Sequence, residues 1–110
     1  MLWNKVYDHV DRKYWQLILP SSIELRVEGL NFKSGPDDVW IYNGLVVKNG
    51  QDEWIMGPLW GKSVRNFDSF DEAAAAVIEK VQEDLRAEES VLQESLEIVR
   101  GDLAAFQGKT

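Results

Sequence analysis

The sequence predicts an α+β fold in which a small antiparallel sheet precedes a long acidic helical segment. Apolar residues alternate with charged ones over 23–28 in a segment, 21–67, that is rich in strand-forming residues and turn signals, whereas within 69–106 they recur every three or four positions. Charge divides the chain in a similar way, because residues 68–110 hold eleven acids and four bases while residues 1–67 hold eight of each. We expect one domain, 1–110, with an N-terminal helix, a sheet of three to four strands, and a long acidic C-terminal helix or helical hairpin.

The first segment favours a helix. Its apolar residues recur at alternating steps of four and three, namely Trp3, Tyr7, Val10, Tyr14 and Leu17. That spacing places them on one helical face. The stretch YWQLIL at 14–19 also fits a strand, since aromatic and β-branched residues are strand formers, and Pro20 ends either element. Helix is the expectation.

The middle segment, 21–67, is predicted to be an antiparallel β-meander. Apolar and charged residues alternate from Ile23 to Glu28, as in a half-buried strand. Asn43-Gly44 and Asn49-Gly50 are both signals for a type I′ hairpin turn. Because they lie only six residues apart, we expect one hairpin at 49–50 and a bulge or bend at 43–44.

The helical segment, 69–106, begins with a capping box, since Ser69 is followed three residues later by Glu72. Its length leaves two alternatives. A helix from 70 to about 100 would span roughly 45 Å and leave its distal apolar residues without a core. These would then need a second copy or another protein, and they are the predicted oligomer interface: Leu92, Leu96, Val99 and Leu103. A break at 88–90 would instead allow a monomeric helical hairpin.

The stretch GPLWGKS at 57–63 invites comparison with a phosphate-binding loop, G-x-x-x-x-G-K-[ST]. Three residues separate Gly57 from Gly61 where the loop needs four, and Pro58 lacks a backbone N–H. The residues after Ser63 favour a strand rather than the required helix. We expect a turn between two strands and no bound nucleotide.

No catalytic residue, metal site or cofactor is predicted. His9 is the only histidine and cysteine is absent, so neither a two-histidine nor a thiolate metal site can form. His9 is flanked by Asp8 and Asp11, a pattern more typical of a solvated surface than of acid–base catalysis. The paired acids at 37–38 and 52–53 fit turns better than a calcium loop.

Two sets of residues are candidates for binding a partner. Carboxylates recur near one face of the predicted helix: Glu72, Glu79, Glu83, Glu94 and Glu97. Such a row suits a basic protein groove, although a solvated helix face has the same pattern. Trp54 and Trp60 flank a turn and could form an aromatic patch, with core filling as the alternative.

These observations favour a non-enzymatic acidic module that binds a protein with a basic surface, such as a nucleic-acid-handling complex, as inhibitor or adaptor. In size and charge alone the chain resembles inhibitors carried by bacteriophages and mobile elements, including anti-CRISPR and DNA-mimic proteins. The alternative is a dimeric structural protein or an assembly or secretion chaperone that binds a client. The acidic surface disfavours direct nucleic-acid binding.

The compartment follows from what the sequence lacks. No apolar run has the length of a signal peptide or a membrane span, so we expect a cytoplasmic protein without membrane contact, in its own cell or a host cell.

Overall fold

The computed structural model describes residues 3–34, 37–61 and 64–107. In chain order the elements are β1 (Asn4–Asp8), β2 (Arg12–Ile18), β3 (Glu24–Ser34), β4 (Asp37–Lys48), β5 (Gln51–Ile55), β6 (Leu59–Gly61), β7 (Val64–Asn66) and α1 (Phe70–Gln107). The chain divides into two compact units, Met1–Lys80 and Val81–Thr110.

The first unit is built on a five-stranded antiparallel meander in the order β1-β2-β3-β4-β5. Strands β6 and β7 pair separately, and a bridge ties the residue after β7 to β4: Tyr42 N–H donates to the Phe67 carbonyl (2.9 Å) and Phe67 N–H donates to the Tyr42 carbonyl (2.7 Å). The α+β class with an antiparallel sheet is confirmed. The expected three to four strands are too few.

The predicted N-terminal helix is wrong, because residues 4–18 form the hairpin β1–β2. The four-and-three spacing arose from residues on two different strands: Tyr7 and Tyr14 are partners across the hairpin. His9 N–H donates to the Arg12 carbonyl (2.9 Å) and closes the turn. Pairing with β3 gives β2 a central position, which local periodicity cannot anticipate.

The two Asn-Gly pairs have different roles. Asn49 and Gly50 connect β4 to β5 with φ of 54° and 76°, so the predicted hairpin is confirmed. Asn43-Gly44 is neither a bulge nor a bend, since the register of β3 against β4 runs through it without a shift. Gly44 is required for another reason: a Cβ there would overlap a methyl group of Val77 on the helix.

The core of the first unit lies between one face of the sheet and the start of α1. Val27, Ala73 and Val77 are fully buried. Small alanines allow a close approach to the strands, and the ring of Phe70 packs against Trp15 at 4.7 Å between centroids. Burial of each of these valines contributes about 1.5–3 kcal/mol to the free energy of unfolding, so packing against the sheet stabilises this short stretch of helix.

Helix α1 begins after Ser69, whose Oγ accepts a hydrogen bond from the Glu72 N–H (3.2 Å), as the capping box predicts. The helix then continues through 88–90 without a break for 38 residues, or about 57 Å. The helical hairpin is therefore wrong and the single long helix is correct. Buried positions end at Val81, and every residue of 82–106 is exposed.

Candidate functional site

The exposed stretch of α1 carries a row of apolar side chains. The four residues predicted as an oligomer interface are 47–63% exposed: Leu92, Leu96, Val99 and Leu103. Their spacing of four, three and four residues places them along one side of the helix. The structure therefore brings the four together on one exposed stripe.

Acidic residues occupy the opposite side of this stretch. At about 100° per residue, Glu83 lies about 180° around the helix from Leu92, and Glu94 and Glu97 lie within about 40° of Glu83. All three carboxylates are exposed. Glu72 and Glu79, the other two predicted acids, are exposed residues of α1 within the first unit.

Several acids of the first unit form ion pairs, whereas three of the exposed helix do not among the described residues. Ion pairs join carboxylates of the first unit to nearby bases: Asp8 to Lys5 and Lys13, Glu24 to Arg26, Glu28 to Arg12, and Glu53 to Lys80. Within the described residues, no ion pair involves Glu83, Glu94 or Glu97. Their charge is thus presented to solvent without neutralisation.

Of the two tryptophans of the predicted aromatic patch, the structure describes the side chain of one. Trp54 is 42% exposed on β5. Its cross-strand partner is Leu45, which follows Gly44, so Trp54 belongs to the sheet face opposite the one that packs against Val77. The side chain of Trp60 lies outside the described part of the chain.

That same sheet face carries a polar network that the sequence patterns did not reveal. Glu24 Oε1 accepts hydrogen bonds from Gln16 Nε2 (2.7 Å) and from Arg26 Nε and Nη2 (3.0 and 2.8 Å). The Arg26 guanidinium also lies over the Tyr14 ring at 4.6 Å. The alternation of Glu24, Arg26 and Glu28 indicated a polar face. The side chains that β2 adds to it were not predicted, because a helix was expected in that segment.

The charged side chains on this sheet face form ion pairs with one another. Partial burial alone would lower the pKa of Arg26, but the hydrogen bond and the charge of Glu24 outweigh it and raise that pKa above its ordinary value. Arg12 Nη2 donates to Glu28 Oε1 (3.2 Å) and, with Tyr7 and Tyr14, lines a depression of about 200 Å³. Because its charges pair with each other, this face attracts a charged ligand only weakly.

Other sequence candidates do not gather into a chemical site. His9 stacks on Tyr7 at 6.0 Å between ring centroids. Where the structure describes the chain, no group of three or more His, Asp or Glu residues could hold a metal ion. The stretch 57–63 contributes β6, and β7 rather than a helix follows it, so the described part lacks the frame of a phosphate loop.

No family model, curated protein or solved structure matches the chain. The helix described at Phe70–Gln107 falls short of the apolar character that a membrane-crossing helix needs.

Proposed function

We propose that this protein is a non-enzymatic, acidic protein-binding module whose exposed helix docks on a basic surface of a larger complex. The observation that carries the proposal is the lack of neutralisation at Glu83, Glu94 and Glu97, three exposed carboxylates on one side of α1. Carboxylates without internal partners are free to pair with lysine and arginine of another protein. Basic grooves that hold nucleic acid offer such residues.

Charge density favours docking on a basic protein surface over imitation of a whole DNA duplex. Residues 81–107 hold seven acids and two bases, a net charge of −5 over about 40 Å of helix. That is one charge per roughly 8 Å, against one per about 1.7 Å in duplex DNA. The helix therefore imitates a few phosphates at most, and a partner would recognise the individual carboxylates.

A pull-down at low and high salt tests the proposal. We expect the tagged protein to retain a basic partner near about 0.05 M salt and to release it near about 0.5 M, since screening weakens exposed charge pairs. The triple variant Glu83→Gln, Glu94→Gln, Glu97→Gln should lose the same partner at low salt. Mass spectrometry identifies the retained proteins, and calorimetry with the purified partner then measures the change in affinity.

A matched variant separates position from net charge. Replacing three exposed acids of the first unit, Asp38→Asn, Asp52→Asn and Asp68→Asn, changes the net charge by the same amount. This control should retain the partner. Equal loss in both triple variants, or binding that survives high salt, would contradict docking through the helix.

A second candidate function, a dimeric assembly protein or chaperone, is favoured by the exposed apolar stripe at Leu92, Leu96, Val99 and Leu103. It predicts a client that stays bound at high salt, because apolar contacts are not weakened by screening. The salt series therefore distinguishes the two functions with one set of samples.

A further inference from the structure

The apolar stripe of α1 has the spacing of a coiled-coil seam. Its members are exposed to between 41% and 77%: Leu85, Leu92, Leu96, Val99, Leu103 and Phe106. From Leu92 onward they alternate by four and three residues, a mean period of about 3.5. A straight α-helix has about 3.6 residues per turn, so a sustained period of about 3.5 matches two helices wound around each other.

This spacing assigns each residue of 85–106 to a heptad position. Leu85, Leu92, Val99 and Phe106 fall at position d, and Leu96 and Leu103 fall at position a. Glu89 is the one charged residue on the seam, at the first a position. The seam thus runs through three heptads of continuous, exposed helix.

The two edges beside the seam carry opposite charge. Positions e are Arg86, Gln93 and Arg100, whereas positions g are Glu88, Ser95 and Asp102. In a two-stranded coiled coil these edges meet the edges of the partner helix and set its identity and direction. The charges on these edges therefore help to determine which helix can pair along the seam.

We infer that the seam is occupied by a second copy of this chain, in parallel. Parallel pairing places the e edge of each helix beside the g edge of the other, where Glu88 faces Gln93 and Ser95 faces Arg100, so no like charges meet along these edges. Antiparallel pairing would place Arg86 and Arg100 beside the same basic edge, and Glu88 and Asp102 beside the same acidic edge. A foreign basic helix would likewise meet repulsion along the arginine edge. Of the two orientations of a second copy, only the parallel one avoids like-charge contacts along both edges.

The seam also contains a feature that limits the strength of the dimer. In a parallel pair the two copies of Glu89 face each other at an a position, where a charge costs stability while restricting register. Gln93 Nε2 donates to Glu89 Oε1 within the same helix (3.4 Å). We therefore expect a reversible dimer whose population depends on protein concentration.

Sedimentation equilibrium over a wide concentration range tests this dimer. Leu96→Asp should raise the dimer dissociation constant by about 100-fold or more, because it buries an unpaired charge in the seam. Ile98→Asp is the matched control: Ile98 is 66% exposed and only two residues away, but it lies outside the seam. It should change the constant by less than about threefold. Equal effects of the two variants, or a monomeric wild type up to about 1 mM, would overturn the inference.

Glu89→Leu should strengthen the dimer, a result that misfolding of the variant could not produce. Extending the apolar seam should tighten the dimer by about tenfold. A dissociation constant that stays unchanged or rises would overturn the assignment of Glu89 to the seam.

A single cysteine reports the direction of the helices, since the chain has none of its own. Leu103→Cys should form an intermolecular disulfide on oxidation, because parallel pairing places the two copies of position 103 side by side. Ala104→Cys, on the outer side, should not. Cross-linking that is absent for Leu103→Cys in a sample shown to be dimeric would mean antiparallel pairing and would overturn the proposal.

The outcome is independent of the proposed basic partner. Leu96→Asp leaves Glu83, Glu94 and Glu97 unchanged on the other side of the helix. Loss of the dimer with salt-sensitive binding retained would support both proposals. A monomeric wild type that still binds would overturn the dimer alone, and a dimer without a salt-sensitive partner would overturn the docking function alone.

Discussion

Two stretches of one helix have similar sequences and opposite environments. In both, apolar residues recur at three- and four-residue steps, and both stretches are rich in glutamate. Within 70–81 the apolar side is buried, with Val77 inaccessible to solvent, whereas every residue within 82–106 is exposed. Helical periodicity therefore identifies the side of a helix that seeks an apolar partner, but not whether the same chain supplies it.

Residue size is one sequence signal that separates the stretches. The first contains four consecutive alanines, 73–76, which permit close packing against a sheet. The second carries leucines and valines at heptad spacing, the composition of a helix–helix seam. Charge follows the same division, since Glu53 and Lys80 pair within the first unit while Glu94 and Glu97 have no pair among the described residues.

The largest contrast comes from placing one charge in each stretch. Val77→Asp should destabilise the first unit by about 3–5 kcal/mol, because it buries an unpaired carboxylate. Val99→Asp, at a residue that is 53% exposed, should change that stability by less than about 0.5 kcal/mol. All five tryptophans lie within residues 1–80, so urea unfolding followed by tryptophan fluorescence reports on the first unit.

A comparable loss of stability in Val99→Asp would show that the exposed stretch contributes to folding of the sheet. The experiment is best done at low protein concentration, where a dimer is dissociated and the substituted helix is compared as a monomer.

A smaller effect is expected from adding one methyl group to the strand that packs against the buried stretch of α1. Gly44→Ala should destabilise the first unit by about 1–3 kcal/mol, because the new Cβ overlaps the Val77 methyl group. The cost should fall when Val77 is shortened to alanine, with a coupling of about 1–2 kcal/mol in the double-mutant cycle. An identical cost in both backgrounds would mean that the glycine has another role in the strand.

The sequence predicted those parts of the fold that depend on local chemistry. Ser69 and Glu72 predicted the helix start because a cap involves one turn of chain, and Asn49-Gly50 predicted a hairpin because its backbone requires positive φ. Asn43-Gly44 carries the same turn signal, yet the glycine is needed there because of its close contact with Val77, a helix residue 33 positions later in the chain. No local pattern contains that contact.

The candidate site was predictable to a similar extent. Helical spacing placed the acids and the leucines on two sides of one element, and the structure agrees for the stretch beyond Val81. The network of Gln16, Glu24 and Arg26 was not predicted, since it depends on β2 pairing with β3. An N-terminal helix was expected in place of β2, because apolar residues on two separate strands together have the spacing of one helical face.

The smallest effect concerns the exposed stretch alone. Gly101 lies on α1, and a Cβ added there would have no neighbouring atom within 4 Å, so Gly101→Ala adds no clash. It should stabilise the local helix by about 0.5–1 kcal/mol, through lower backbone entropy in the unfolded chain. Circular dichroism in the far ultraviolet should show higher helicity, while the tryptophan fluorescence midpoint stays unchanged. Ala104→Gly, at another exposed position, should lower helicity by a similar amount. A fluorescence midpoint that moved together with helicity in both variants would mean that the two units unfold as one, and the contrast between the stretches would then be one of exposure and not of stability.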